Sequence, residues 1–327
     1  MSKFPNHETF KEHKTFPQKF VEKFIYFDDY TFLSRNIFPK KMKKCYVYDI
    51  KDQKIADFFL DYGRLYLGFS DKFITKMVKN YLKSTIFSYS TGIFTYRFLK
   101  LINDLTCKEF RNIFFARSLS SLGDILSMLL GKNFSVNSYY TSIVFGKKLD
   151  TNNPDVFEPF NEFFLLEDFP TSIRYLFLGR GIRYYEVLER LSCIDIGGIV
   201  MSFGRFFVVL SNERILNKSK DFSFVSEFES MIGYYYLLRE KFLISRKIYR
   251  LKNYTERWLK KFVDIGVADG LSPYAIYFSK KPEYFHDYLI REGIFSYGNT
   301  LFFSFQHDEN DFKRLRRKLN QVFGISS

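Results

Sequence analysis

Cysteine is scarce in this chain of 327 residues: Cys45, Cys107 and Cys193 are scattered and odd in number. There is no CxxC pair and no Cys/His cluster, so neither a disulfide framework nor a zinc site is supported, and a reducing compartment fits. Histidine is equally sparse: four occur, and none lies between His13 and His286. Ser202 therefore has no nearby base in the sequence to make it a nucleophile. No apolar run approaches the roughly 20 residues that a membrane-spanning helix needs. The first residues, "MSKFPNHETFKEHKTF", are polar and charged with no apolar signal core, so the expectation is a cytoplasmic protein. No internal repeat is visible. One further gap matters most: lysine is plentiful overall, yet none lies between Lys148 and Lys218.

What is present is apolar and basic. Hydrophobic content of 46%, with 42 Phe and 24 Tyr, is far above that of disordered chains and suffices for a sizeable core. The Phe, Tyr and Lys excess reads as AT-rich codon usage rather than as a functional patch. The net charge of +14 would suit a nucleic-acid or anionic membrane partner. The basic residues are dispersed, however, with "PKKMKK" (Pro39–Lys44) and "KRLRRK" (Lys313–Lys318) the densest runs. Solvated faces are the expectation, and nucleic acid is not the expected partner.

Patterning divides the chain in three. Residues 1–104 read as an arm, a hairpin around the polar turn Lys51–Lys54, and a helix in which Phe73, Met77 and Tyr81 step by four, with Asp71 as its cap. Residues 105–216 alternate strand and helix: "RNIFFARSLSSLGDILSMLLGK", "SIRYLFLGRGIRYYEVLERL" and "GRFFVVLSNERIL". Such alternation predicts an α/β core with a largely parallel sheet. Residues 217–327 begin with a long helix over roughly 222–265 and end in a helix from Asp308, and they read as a smaller α+β domain.

The stretch "YVYDIKDQKIADFFLDYGRLYLGFSDKFITKMVKNYLKS" resembles the opening of class III, pyridoxal phosphate (PLP)-dependent aminotransferases, above all the glutamate-1-semialdehyde aminomutase branch. Asp49, Asp57, Gly63 and Gly68 match that pattern, whereas the family's His and Pro after Gly68 are replaced by Phe69 and Lys72. "REGIFSYGNTLFFSFQHDENDFKRLRRKLNQVF" resembles the family's closing pattern, including its Ser-x-x-His at Ser304 and His307. "PFNEFFLLED" resembles a mid-chain helix, and "DIGGIVMSFGRFFVVLSNERIL" the cofactor-lysine loop with its following strand. The ordered set spans most of residues 31–325. It implies a shrunken fold-type-I large domain with a smaller C-terminal α+β domain, and a dimer.

The same resemblance shows what is missing. Laying Asp195 on the family's Asp puts Met201 where the Schiff-base lysine belongs, and no neighbouring residue is a lysine. Leu176 stands where a carboxylate pairs with the cofactor's ring nitrogen, with Gly181 and Arg183 on the family's following Gly and Arg. The phosphate cup is reduced to "SLSSL", where Ser118 and Ser120 keep hydroxyls but Leu119 replaces the glycine. As residues in their own right, Ser118 and Ser120 read as a helix N-cap turn, the Gly179–Gly181 turn as a strand-to-helix connection and His307 as part of a helix start, while by the resemblance Arg35 lies where some relatives hold a substrate carboxylate. The Tyr-His-Gly turn that stacks on the cofactor has no counterpart. These losses imply a pseudoenzyme with a binding or scaffold role, no cofactor, and a homodimeric or heteromeric protein partner. The alternatives are a PLP-dependent aminotransferase or aminomutase acting on a small amino compound, and a basic nucleic-acid or membrane-surface binder.

Overall fold

A computed structural model describes residues 37, 39–60, 63, 65–69, 71–84, 92–117, 119–131, 156–157, 172–178, 184–203, 206–212 and 227–325. Strands β1 (Pro39–Lys43), β2 (Tyr46–Asp49) and β3 (Lys54–Asp57) form an antiparallel meander. The β2–β3 turn is held by Asp49, whose Oδ1 accepts the N–H groups of Lys51 and Gln53, both at 2.8 Å. The basic run at Pro39–Lys43 is thus an exposed edge strand, which the sequence pattern did not reveal.

Helix α1 (Lys72–Ser84) starts where Asp71 accepts the N–H groups of Phe73 and Ile74 through Oδ1, so the expected cap is in place. Gly68, just before it, has φ +89°, and a Cβ there would lie 2.6 Å from the Lys44 carbonyl oxygen. Glycine is required at that point of the opening motif. Helix α2 (Ile93–Thr106) follows and runs across position 104, where the sequence reading ended its first segment.

The central sheet combines β4 (Asn112–Ala116), β5 (Val156–Phe157), β6 (Ser172–Leu178), β7 (Asp195–Phe203) and β8 (Phe206–Ser211) in the order β4-β8-β7-β6-β5. β8 is antiparallel to both neighbours, while β7–β6 and β6–β5 are parallel, so four of the five strands run one way. Helices α3 (Leu119–Leu130) and α4 (Tyr184–Arg190) follow β4 and β6, as the alternation predicts. Strand β8 is the strand expected within "GRFFVVLSNERIL", whereas the segment before it, which the resemblance reads as the cofactor-lysine loop, is itself strand β7, with Phe203 opposite Phe206. The cause is in the residues: both arms are apolar and β-branched or aromatic, and both are buried. Gly198 in β7 admits the Tyr175 ring, because a Cβ there would lie 2.2 Å from that ring's Cε1. The Tyr175 hydroxyl then meets Ser211 Oγ at 2.8 Å.

Helix α5 (Glu227–Asp264) is about 57 Å long at 1.5 Å per residue. Its Leu237 joins the core beneath the central sheet, while Leu243, Leu251 and Leu259 join the C-terminal core. That core is completed by β9 (Gly270–Leu271), β10 (Ala275–Tyr277), α6 (Phe285–Arg291), β11 (Ile294–Phe295), β12 (Thr300–Phe302) and α7 (Glu309–Val322). β11 pairs in parallel with β3, so the N-terminal hairpin and the C-terminal segment share one sheet. Asp308 caps α7 with a capping box that includes Asp311.

Candidate functional site

In this fold the parallel strands β6 and β7 end side by side, with Leu176 opposite Ile199 and Leu178 opposite Met201. Ligands of open α/β sheets bind beyond such carboxyl ends. Here the ends are filled. Leu176 and Met201 are both fully buried, in one cluster with Leu178, Tyr184, Ile199 and Phe203. Met201 lies within β7, paired to both neighbouring strands, and not in a loop.

Aromatic rings from three helices close over the end of β7. Phe203 meets Phe98 of α2 at 6.0 Å, Tyr184 of α4 at 5.1 Å and Tyr236 of α5 at 5.5 Å between ring centroids. Such pairs add about 0.5–1.5 kcal/mol each beyond the area they bury. One carboxylate enters this wall. Glu240 of α5 is fully buried, and its Oε1 accepts the Tyr185 N–H at 3.1 Å. Tyr66 and Tyr236 lie beside it, and burial first, then the Glu240 charge, holds both phenols well above their ordinary range. They stay protonated at any physiological pH and act as wall residues, not as acids or bases.

Beside this wall is a cavity of about 200 Å³, lined mainly by Leu65, Leu67, Phe69, Ile74, Phe203 and Tyr236. It is smaller than the roughly 300 Å³ at which ligand pockets begin. Its carboxylate, Asp71, is already committed: Oδ1 caps α1, and Oδ2 accepts Arg239 Nε at 2.9 Å. The cavity lining carries no amine, thiol or imidazole. Among the described residues no group of His, Cys, Asp and Glu could hold a metal ion.

The other sequence candidates fall as follows. Ser120 is exposed on the first turn of α3, and Ser118 lies outside the described residues, as do Arg35, Gly179–Gly181, Arg183, Gly204 and the "PFNEFFLLED" segment. Ser202 is described only as backbone within β7. His307 is buried, stacked on Phe58 at 4.2 Å, and its Nδ1 accepts the Ser304 N–H at 2.9 Å. Burial pushes its pKa down to about 3, offset in part by the Asp57 backbone. Ser304 Oγ donates to the Tyr66 carbonyl at 2.9 Å, so the Ser-x-x-His pattern ties the C-terminal segment to the N-terminal one. Glu240 and the tyrosines around it were missed by sequence reasoning. Only a buried-side placement of Glu240 on α5, next to Leu237 and Leu243, would have marked it.

No protein-family model matches the chain. No curated protein sequence matches it either. Solved structures do. An ornithine aminotransferase from Plasmodium yoelii superposes with a TM-score of 0.60 at 11% identity, covering 94% of this chain and 99% of the other. An omega transaminase from Pseudomonas jessenii in complex with PMP gives 0.60 at 11% identity, over 94% and 97%. A transaminase with PLP bound gives 0.62 at 12% identity, over 88% and 90%. The fold is therefore the mixed α/β fold of these aminotransferases, as the motif order implied. Among the described residues no helix is long and apolar enough to cross a membrane.

Proposed function

We propose that this chain is a catalytically inactive, aminotransferase-like protein of the class III kind, with a binding or scaffold role. The observation that carries the reading is the packing at the end of β7. Met201 stands where the motif alignment requires the cofactor's lysine, and it is fully buried among Leu178, Tyr184 and Phe203. A cofactor aldehyde needs a primary amine there and a carboxylate for its ring nitrogen. Met201 supplies no amine, and Leu176, also fully buried, supplies no carboxylate. Ser120 is exposed in a helical turn, and the cavity beside Phe203, at about 200 Å³, is smaller than a typical ligand pocket. The residues present do not fit PLP. Met also suits an apolar gap, since its unbranched side chain adapts to irregular space.

The motif order favours the glutamate-1-semialdehyde aminomutase branch, and the expected setting is a cytoplasmic homodimer or a complex with another protein. The likeness to PLP-bound and PMP-bound transaminases supports an active aminotransferase or aminomutase equally well as far as the fold goes. The apolar wall favours the inactive reading. The test is to incubate the protein with PLP, dialyse, record the visible absorbance, reduce with borohydride and map any labelled peptide. No retained absorbance and no adduct are expected. A stable yellow species reduced onto one lysine would promote the enzyme.

A further inference from the structure

The basic residues that look scattered along the sequence are not scattered on α5. Its solvent face is marked by Phe242, Arg246, Tyr249, Asn253, Glu256 and Lys260, which recur in steps of four and three residues and so share one side of the helix. All six are exposed. Lys252 and Arg257 flank the same face and are also exposed, with side-chain exposures of 58% and 68%. Four cations thus stand against two carboxylates: Glu256, which lies 3.9 Å from Lys252, and Glu309 of α7, which pairs with Arg257 at 3.3 Å and with Lys313 at 3.4 Å. Two aromatic rings are set among them in water: Phe242 is 48% exposed and Tyr249 is 72% exposed. The Arg246 guanidinium sits 4.2 Å from the Phe242 ring centroid. From Phe242 to Lys260 the stripe runs about 27 Å along a continuous helix. Helix α7 extends the charge sideways, where Lys313 and Arg316 approach the Trp258 ring at 5.1 and 5.6 Å.

From this stripe we propose that the outer face of α5 binds single-stranded nucleic acid. Cations spaced along a rod match a phosphodiester backbone and gain from counterion release. Exposed rings between them offer stacking platforms that tolerate any base. A duplex hides its base faces, and an acidic polypeptide has none, so neither partner uses Phe242 and Tyr249. The face lies on α5 away from Met201 and Leu176, and it is independent of the state of the aminotransferase-like cleft.

The experiment is fluorescence anisotropy of a labelled single-stranded RNA of mixed sequence titrated with the full chain, across a salt series. With about four phosphate contacts, log K against log salt should fall with a slope of roughly −3. Tyr249→Ala should weaken binding about fivefold or more through lost stacking. Arg246→Glu with Lys260→Glu should weaken it more and flatten the salt slope. Lys79→Glu with Lys83→Glu, on exposed positions of α1, should change neither. All these side chains face solvent, and Tyr249→Ala alone suffices should the double variant misfold. Two results overturn the proposal. One is no binding at low salt. The other is binding that Tyr249→Ala leaves unchanged and that polyglutamate, duplex RNA or anionic vesicles reproduce with equal strength, which would make the face a general polyanion surface.

Discussion

Replacing Glu227 with alanine should loosen α2, a helix whose N-cap, Gly92, lies 135 residues earlier in the chain. Helix α2 opens at Gly92, which has no side chain to cap its first turn. The Glu227 carboxylate, from the first turn of α5, does this instead. It accepts the N–H groups of Gly92 at 3.0 Å, Phe94 at 2.7 Å and Thr95 at 3.1 Å, and the Thr95 hydroxyl at 3.0 Å. Glu227 and Thr95 are both buried, so water cannot fully replace the lost acceptor. A lost cap costs about 1 kcal/mol. Each buried donor left without an acceptor adds about 1–3 kcal/mol. With Thr95 N–H and Oγ both affected, the truncation should cost roughly 3–4 kcal/mol. Glu227→Gln keeps one acceptor oxygen but turns an amide group toward donors, so about 2 kcal/mol is expected. Native-state hydrogen exchange at the Phe94 and Thr95 amides reads this locally: a loss of 3–4 kcal/mol accelerates exchange by roughly 10²–10³. Urea unfolding followed by helix ellipticity gives the global value. In a Thr95→Val background the Glu227 effect should shrink, which a double-mutant cycle measures. Unchanged exchange at both amides, with stability within about 0.5 kcal/mol of the parent, would refute the remote cap.

Met201→Lys should not create a cofactor site but should bury an uncompensated amine, costing more than about 4 kcal/mol or preventing soluble expression, while Met201→Leu should stay within about 1.5 kcal/mol in thermal unfolding. Gly198→Ala forces a methyl group onto the Tyr175 ring and the Leu210 carbonyl, at 2.2 and 2.7 Å, and about 3 kcal/mol should be lost in urea unfolding. His307 binds a proton at about 3 in the folded chain but near its ordinary 6.5 when unfolded, so the unfolded state takes up more protons as pH falls between these values. Stability from this residue is complete above about pH 6.5, falls by up to about 1.4 kcal/mol per pH unit below it, and is lost by about pH 3. His307→Asn should remove that part of the slope in unfolding curves between pH 7 and 4. Tyr46→Phe removes a hydroxyl that donates to Asp311 at 2.8 and 2.9 Å, and should cost about 1.5–3 kcal/mol by the same assay.

Local chemistry in the sequence determined much of this protein. An aspartate just before an amphipathic run can satisfy only that run's first N–H groups, so Asp71 and Asp308 were legible as caps. Apolar strands bounded by turns and followed by helices admitted few arrangements other than an α/β sheet. The lack of lysine between Lys148 and Lys218 was also plain without a structure. Only the tertiary structure decided the rest, because each remaining feature joins residues far apart in the chain. The cap on α2 comes from Glu227, and β3 receives β11 as its parallel neighbour across more than 230 residues. The pairing with the expected strand β8 makes the segment expected as the lysine loop a strand, β7, since two apolar arms bury more surface against each other than either does alone. Charge followed the same rule. Basic residues of α5 look dispersed when read in order, and the helical repeat alone lines Arg246 and Lys260 up with two exposed rings and sets Lys252 and Arg257 at their flanks. What the cleft contains was settled by packing: Met201 and Leu176 are buried because rings from α2, α4 and α5 converge on the ends of β6 and β7, and no local pattern in the sequence specifies that convergence.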